Sequence, residues 1–371
     1  MIGKNNKITN IQTSVLMINT IIGVGILSLP NILAEKAGTL GWASVIASGL
    51  IVMALVYIII KLMEMYEGKT IFEISQELIG VPFTYIATAI FIIYSISISS
   101  FVVRIFGEVI KTLLLHSTPI HFVIITMLLT TSYIIRCGIE AMARFTLIIL
   151  PFFMIPIFII SLVLLPDLDY SNLMPMFRLD ASKILKSIPY VFFSFSGFEC
   201  LLVFMGYTIK TKASLKYNLL SIIAIIGMYL GYFIVSIARF GEEGLRIQVW
   251  PLLSLSKTVE FPSAFIENID GVILAIWVLI AFTTLMSYLY FAALLISKIL
   301  GAKEHKQFTL PIIPIIYVLS LIPQNIVQVY TKVDMFLYIF GGFTSILTPV
   351  FFFTLAKIKK KGGKIQDEKN I

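Results

Sequence analysis

Charge is what this sequence has least of. Only 13% of its 371 residues are Asp, Glu, Lys or Arg, about half the share usual in soluble domains. Cysteine is nearly absent: Cys137 and Cys200 lie in different apolar segments, without C-x-x-C spacing. That excludes a disulfide scaffold, and both thiols read as buried small hydrophobes. Three histidines, His116, His121 and His305, are too scattered for a metal site. No H-E-x-x-H, nucleophile elbow or paired catalytic carboxylates occur. Gly68-Lys69-Thr70 looks like the end of a phosphate-binding loop, but Met63 stands where such a loop needs its first glycine. Nothing points to an enzyme, and neither a cofactor nor a metal is expected.

What is present is apolar. Hydrophobic residues make up 58%, with 29 Phe and 16 Tyr, and the mean hydropathy is +0.98. Such a chain cannot hide its apolar surface in one aqueous core and keep a polar coat. It reads as an all-α transmembrane protein. The net charge of +8 is no nucleic-acid signal, because much of it sits in one tail: Lys357, Lys359, Lys360, Lys361, Lys364 and Lys369. A basic membrane flank reads that way, and no aromatic-basic interleaving suggests a nucleic-acid partner.

A bilayer core needs about 20 apolar residues per helix. Ten runs qualify: 8–34, 42–60, 83–103, 120–135, 145–166, 188–209, 217–238, 271–297, 308–331 and 335–356. The ninth is shortened or bent by Pro311, Pro314 and Pro323. The first is too long for a cleaved signal peptide and lacks a small-x-small site. An even count puts both termini on one side. That side holds 18 of the 28 Lys and Arg and the other side nine, with Arg104 inside a span, so both termini are expected in the cytoplasm. Residues 1–357 form one membrane domain and 358–371 a basic cytoplasmic tail. An amphipathic piece at 71–78 is expected on the cytoplasmic face. Residues 167–187 and 239–270 are the long outer connections, and Trp250-Pro251 begins a short surface helix or lid in the second.

Two runs are broken inside. The first contains Gly23-Val24-Gly25-Ile26 and then Pro30; the sixth contains Ser194-Phe195-Ser196-Gly197-Phe198-Glu199. Glycine weakens helices, and irregular backbone at that depth is tolerated only against protein or a water-filled cavity. Helices one and six hold corresponding places in two five-helix halves, the best pointer in a sequence to a transporter-type binding site. Plain close packing of helices is the alternative. An unwound break bares N–H groups at one half-helix and C=O groups at the other, which suits a zwitterion. The amides of Gly25 and Ile26 are candidates for a carboxylate, and the carbonyls around Phe195 and Ser196 for an ammonium.

These residues carry a resemblance. Asn10-Ile11-Gln12 opens the first helix and leads to Gly23-Val24-Gly25-Ile26-Leu27-Ser28-Leu29-Pro30, then Ala37-Gly38 and Gly41-Trp42; the sixth helix carries Phe195-Ser196-Gly197-Phe198-Glu199. Over essentially the whole chain this resembles the B subunit of spore germinant receptors, a branch of the amino acid–polyamine–organocation superfamily. The resemblance implies a LeuT-like five-plus-five inverted repeat in a ten-helix bundle. It also implies residence in the spore inner membrane, partner A and C subunits, and a small-molecule germinant, expected to be an amino acid. The rival reading is a secondary amino-acid transporter coupled to H⁺ or Na⁺. Some relatives in the superfamily couple protons through a lysine in the fifth helix, whereas 145–166 here has no charge.

Candidate ligand contacts follow. Around the first break they are Gly23, Gly25 and Ile26; around the second, Phe195, Ser196, Gly197, Phe198 and Glu199. Glu199 is the acidic residue in the middle of a span, where a charge needs a role or a partner. It reads either as a functional carboxyl or as one that pins the helix break. The third helix offers Tyr94 and Ser97 at binding depth, in one stripe with Phe101, Arg104 and Glu108. Arg104 and Glu108 read as an ion pair near the outer mouth. In the eighth helix Thr284, Ser287 and Tyr288 share a face. The superfamily places that helix beside the first break, so these hydroxyls close a ligand site or act as interhelical glue.

Overall fold

The computed structural model describes residues 7–23, 25–175, 177, 180–209, 213–258 and 269–369, with the backbone alone at 269 and 360–369. Val24, Lys4, Arg178, Lys210, Lys212 and residues 259–268 lie outside the described residues. The described chain is almost wholly helical. Six helices are long and apolar enough to cross a bilayer, and two further spans are bent helix pairs. The shorter apolar helices Ile120–Arg136 and Lys306–Leu321 bring the number to ten.

Span one is Asn10–Ile22 followed by Gly25–Lys36. It starts on a capping box: Thr9 Oγ1 accepts the Gln12 N–H at 3.3 Å and Gln12 Oε1 accepts the Thr9 N–H at 2.8 Å. Spans two to five are Gly41–Met65, Val81–Leu113, Ile120–Arg136 and Ile139–Leu164. Span six is Ala181–Phe193 joined at a 48° bend to Phe198–Tyr207. Spans seven to ten are Ser214–Ile247, Ile269–Ile299, Lys306–Leu321 and Ile326–Lys359. Within span ten, Leu337–Leu347 is π-helical.

Burial sorts the spans. Two-thirds (67%) of the most apolar stretch of span eight is buried, against 22% in span five. Span eight packs on spans one, three and five at the centre of the bundle. Span five turns Phe152, Ile155 and Phe158 outward, as a lipid-facing helix does.

The inner ends of the broken spans are joined. Ile8 and Thr208 form a parallel bridge, with the Ile8 N–H on Tyr207 O at 3.0 Å and the Ile209 N–H on Ile8 O at 2.8 Å. Thr13 Oγ1 and Thr208 Oγ1 add a 2.7 Å hydrogen bond. Beneath them lies the amphipathic helix Ile71–Ile79. Its Glu73 pairs with Lys298 at the end of span eight. Burial pushes the Glu73 carboxyl up, but the hydrogen bonds from Lys298 and Thr70 outweigh it and hold the group below its usual value. Lys359 Nζ donates to the last carbonyls of the same helix, Glu77 O at 3.0 Å and Leu78 O at 2.9 Å. Span one's start, span six's end and the last helix therefore share one face of the bundle.

Several boundaries differ from the sequence reading, three of them for reasons that the local residues show. Span nine ends at Leu321 rather than 331, because Pro323 stops it and Asn325 restarts a helix. The Asn325 Oδ1 accepts the Gln328 N–H at 2.9 Å, so 326–331 belong to span ten. Span six begins at Ala181 rather than 188, where the Asp180 carboxylate takes the N–H groups of Ser182 and Lys183. Span seven runs on to Ile247 across a break at Gly241 (φ +69°). Trp250 does precede a short helix, Pro251–Ser256, whose Leu252, Leu253 and Leu255 are buried.

Candidate functional site

The two broken spans touch break to break. Gly197 has φ +126°, and a Cβ there would stand 2.9 Å from Thr20 C and 3.0 Å from Ile21 N. Only a glycine lets the span-six backbone come this close to span one. Gly23 (φ +24°) is equally confined, since a Cβ would meet Thr284 Oγ1 at 2.3 Å. Gly25 is different: it is helical, and its nearest would-be neighbour is Ser194 O at 3.5 Å, an ordinary contact.

Freed backbone groups at such a break need partners. Thr284 Oγ1 approaches Asn19 O at 3.1 Å, Thr20 O at 3.4 Å and its own-helix Ile280 O at 3.3 Å. Tyr229 of span seven reaches both breaks: its hydroxyl donates to Ser194 O at 3.0 Å and lies 3.4 Å from Ile21 O. Ser287 serves as interhelical glue, with its Oγ 2.8 Å from Thr20 Oγ1 and 3.1 Å from Thr283 O.

Glu199 is 1% exposed and accepts three hydrogen bonds. Tyr94 OH and Tyr288 OH each donate to Oε1 at 2.8 Å, and the Gly197 N–H donates to Oε2 at 2.8 Å. The carboxyl thus caps the start of the inner half-helix, where an acidic group suits the helix dipole. It also links spans three, six and eight. That geometry joins the two sequence alternatives, a pinned break and a conspicuous buried carboxyl, in one residue.

On one side of this network lies a cavity of about 100 Å³. Its inner end is bounded by Thr20, Ile21, Gly25, Ser194, Ser196, Thr284 and Tyr288. The Ser196 hydroxyl is shielded from solvent and has no hydrogen-bond partner among the described residues. Ile98, Phe101, Val102 and Ile105 of span three form an apolar wall, and Tyr190, Phe193, Ser28, Ile32, Tyr330, Val333, Asp334 and Leu337 complete the outer part.

Of the candidate ligand contacts read in sequence, Gly25, Ser196, Thr284 and Tyr288 line this cavity, and so does Phe101 of the span-three stripe. Tyr94, Gly197 and Glu199 sit directly behind it in the hydrogen-bond network, and Gly23 is pressed on Thr284. Ile26, Phe195 and Phe198 are fully buried and turned away. Phe195 packs on Tyr229 and Phe198 on Phe192. Ser97 does not border the cavity; Ile98 takes that place. Arg104 and Glu108 do pair, at 2.6 Å, but Arg104 also lies 3.4 Å from Ser320 O and from Gln324 O. The pair therefore anchors the end of span nine rather than facing the cavity. Sequence reasoning missed Tyr229, Tyr190, Phe193, Tyr330 and Asp334. Among the described residues, no group of three or more His, Cys, Asp or Glu converges to hold a metal.

Two bent spans meeting at a central cavity define a membrane protein of LeuT-like fold. MhsT in complex with L-phenylalanine has the same fold, with a TM-score of 0.68 at 15% identity over 95% of this chain and 89% of that one. Sequence comparison then gives the family: the model for the spore germination protein family matches residues 7–329, and the chain belongs to that family. Spore germination protein YndE of Bacillus subtilis (strain 168) is 28% identical over 98% of this chain and 100% of its own length. Spore germination protein A2 of the same strain is 28% identical over 96% and 97%. Spore germination protein GerQB of Bacillus cereus is 27% identical over 84% and 85%.

Proposed function

We propose that this protein is the membrane-embedded, ligand-binding subunit of a spore germinant receptor, and that its germinant is an amino acid held at the two helix breaks. The observation that carries this reading is the unpartnered Ser196 hydroxyl. Ser196 borders a cavity whose wall includes residues of both breaks. Bare amides at Gly25 suit the carboxylate, and carbonyls of the span-six break suit the ammonium. Ser196 supplies a further donor or acceptor. A fold neighbour solved with an amino acid bound gives general support.

On this reading ligand binding shifts the balance between bundle conformations and passes the change to A- and C-type subunits. The membrane unit, 1–357, lies in the spore inner membrane. Its termini and the basic tail, 358–371, face the cytoplasm, as the charge bias favours. The transporter-like fold keeps a second reading in play, coupled amino-acid uptake. Reconstitution into liposomes with labelled amino acids separates the two. Saturable binding without accumulation is expected; accumulation against a gradient driven by H⁺ or Na⁺ would select the transporter. Accessibility labelling of an introduced tail cysteine, in a background lacking Cys137 and Cys200, tests orientation. Labelling from outside would overturn it.

A further inference from the structure

The cavity is long, and its charge lies away from its inner end. Its lining runs from Ile98 to Ile105 on span three and from Gly25 to Ile32 on span one. Each stretch covers eight residues, or about 10 Å of helix from first to last. Among the described lining residues, Asp334 of span ten is the sole charged side chain. Its depth follows from its neighbours. Phe336 stacks on Tyr94 and contacts Phe101, and span ten runs antiparallel to span three. Asp334, two residues nearer the outer end, therefore stands level with about Ser99 to Ser100. The breaks lie level with Tyr94 to Ile98. The carboxylate is thus about 5–6 Å outward of the breaks, along the apolar wall that Ile98, Phe101 and Val102 form.

Asp334 has no ion pair within 4 Å among the described residues. The charges that act on it through space are Lys36 and Glu35. Lys36 is already engaged, 2.6 Å from Glu35 and 4.9 Å from the Tyr190 ring centre. Lys186 borders the neighbouring crevice that Asp334 also lines, and Tyr330 stands one turn away on the cavity wall. Asp334 is exposed, and with no ion pair of its own among the described residues its carboxylate can take a ligand's cation.

We propose that the cavity is built for an amino acid with a cationic side chain, of the lysine or ornithine type, whose side-chain ammonium meets Asp334. This rests on the amino-acid reading of the breaks and adds the class of side chain. An extended lysine side chain spans about 6 Å from Cα to its nitrogen, five bonds end to end. It lays four methylenes against the apolar wall. A neutral side chain of the same length fills the wall but leaves Asp334 unmet.

The test uses the purified full-length chain in nanodiscs, with tritiated L-lysine as probe and L-ornithine, L-norleucine, L-alanine and L-phenylalanine as competitors. L-norleucine has the lysine side chain without its ammonium. L-lysine is expected to bind at least about tenfold more tightly than L-norleucine. Asp334→Asn is expected to remove that preference while leaving L-norleucine affinity unchanged. Asp334→Glu keeps the charge and is expected to retain the preference, which controls for misfolding. Lys36→Gln is expected to retain it too. Three results would overturn the proposal: L-norleucine or L-alanine matching L-lysine on the wild type, Asp334→Asn weakening every ligand equally, or Lys36→Gln doing the same as Asp334→Asn. The last two would make Asp334 part of a gate or of the framework. If monodisperse wild-type protein binds none of the five amino acids, the amino-acid reading itself fails, and this inference with it.

Discussion

The two helix breaks look alike in sequence and are maintained in opposite ways. The break in span six closes itself: Glu199, two residues on, reaches back to the Gly197 N–H. The break in span one contains no such group. It is closed by side chains from elsewhere, Thr284 of span eight and Tyr229 of span seven. Span six thus carries a cap of its own, to which Tyr229 adds a bond at Ser194 O, whereas span one is closed wholly by its neighbours. The glycines divide along a different line. Gly197 and Gly23 are locked by contact, while Gly25 has room beside it. A glycine-rich break therefore contains both framework positions and a position facing the cavity.

The sharpest way to break this comparison is Gly197→Ala. A Cβ would meet span-one backbone, which cannot step aside, on a φ that L-residues avoid. A loss of about 3 kcal/mol or more is expected, read as a collapse in membrane level and melting temperature. Normal abundance would show that the breaks do not touch. Gly23→Ala comes next, at about 2 kcal/mol, because its obstacle is a side chain. Thr284→Ala removes that obstacle along with a cap. The double variant is expected to lose less than the two singles added together, and strict additivity would separate Gly23 from Thr284.

Glu199→Gln sets an amide NH₂ among three donors and is expected to cost about 1–3 kcal/mol. Its melting temperature should fall, and Tyr94→Phe in the same chain should restore part of the loss. Full stability of Glu199→Gln would remove the self-capping account of span six. Tyr229→Phe deletes one buried hydrogen bond, worth about 1 kcal/mol. Gly25→Ala is expected to be the mildest for stability. The methyl finds an ordinary contact, and alanine favours helix by about 1 kcal/mol. Its effect belongs instead to the ligand, as a raised half-saturating concentration at unchanged abundance. Lost abundance with unchanged half-saturation would return Gly25 to the framework.

Much of the fold was legible because hydropathy and glycine act locally. Ten apolar runs and two interrupted ones can be counted without knowing any contact. The Asn10-Ile11-Gln12 opening stood out as a family motif, while the cap that starts the helix, Thr9 with Gln12, went unread. The site was legible only in pieces. Tyr94, Glu199 and Tyr288 each stood out, but nothing local says that residues so far apart in the chain share one carboxyl. Asp334 was read as a connection because span nine was carried to 331. The Pro323 stop and the Asn325-to-Gln328 cap were the available signals. Tyr229 left none, since one tyrosine in an apolar run resembles any other. Ser97 was misplaced by the stripe argument. At about 100° per residue Ser97 lies about 90° round the helix from the centre of the face that Ile98, Phe101, Val102 and Ile105 turn to the cavity.

The bridge between Ile8 and Thr208 makes the inner halves of spans one and six a single lever. Two backbone hydrogen bonds and the Thr13–Thr208 pair tie its free end, and the glycine breaks supply its fulcrum. A lever with two arms tied at the tip cannot scissor; it swings as one piece. Torque applied at either break therefore emerges at the same place. There Gly206 lies so close to the turn before the interfacial helix that a Cβ would stand 2.9 Å from Thr70 Cγ2 and 3.0 Å from Lys69 O. A few degrees of rotation at the fulcrum becomes a lateral push at that contact, and the push is delivered on the face where the last helix, through Lys359, holds the far end of the same interfacial helix.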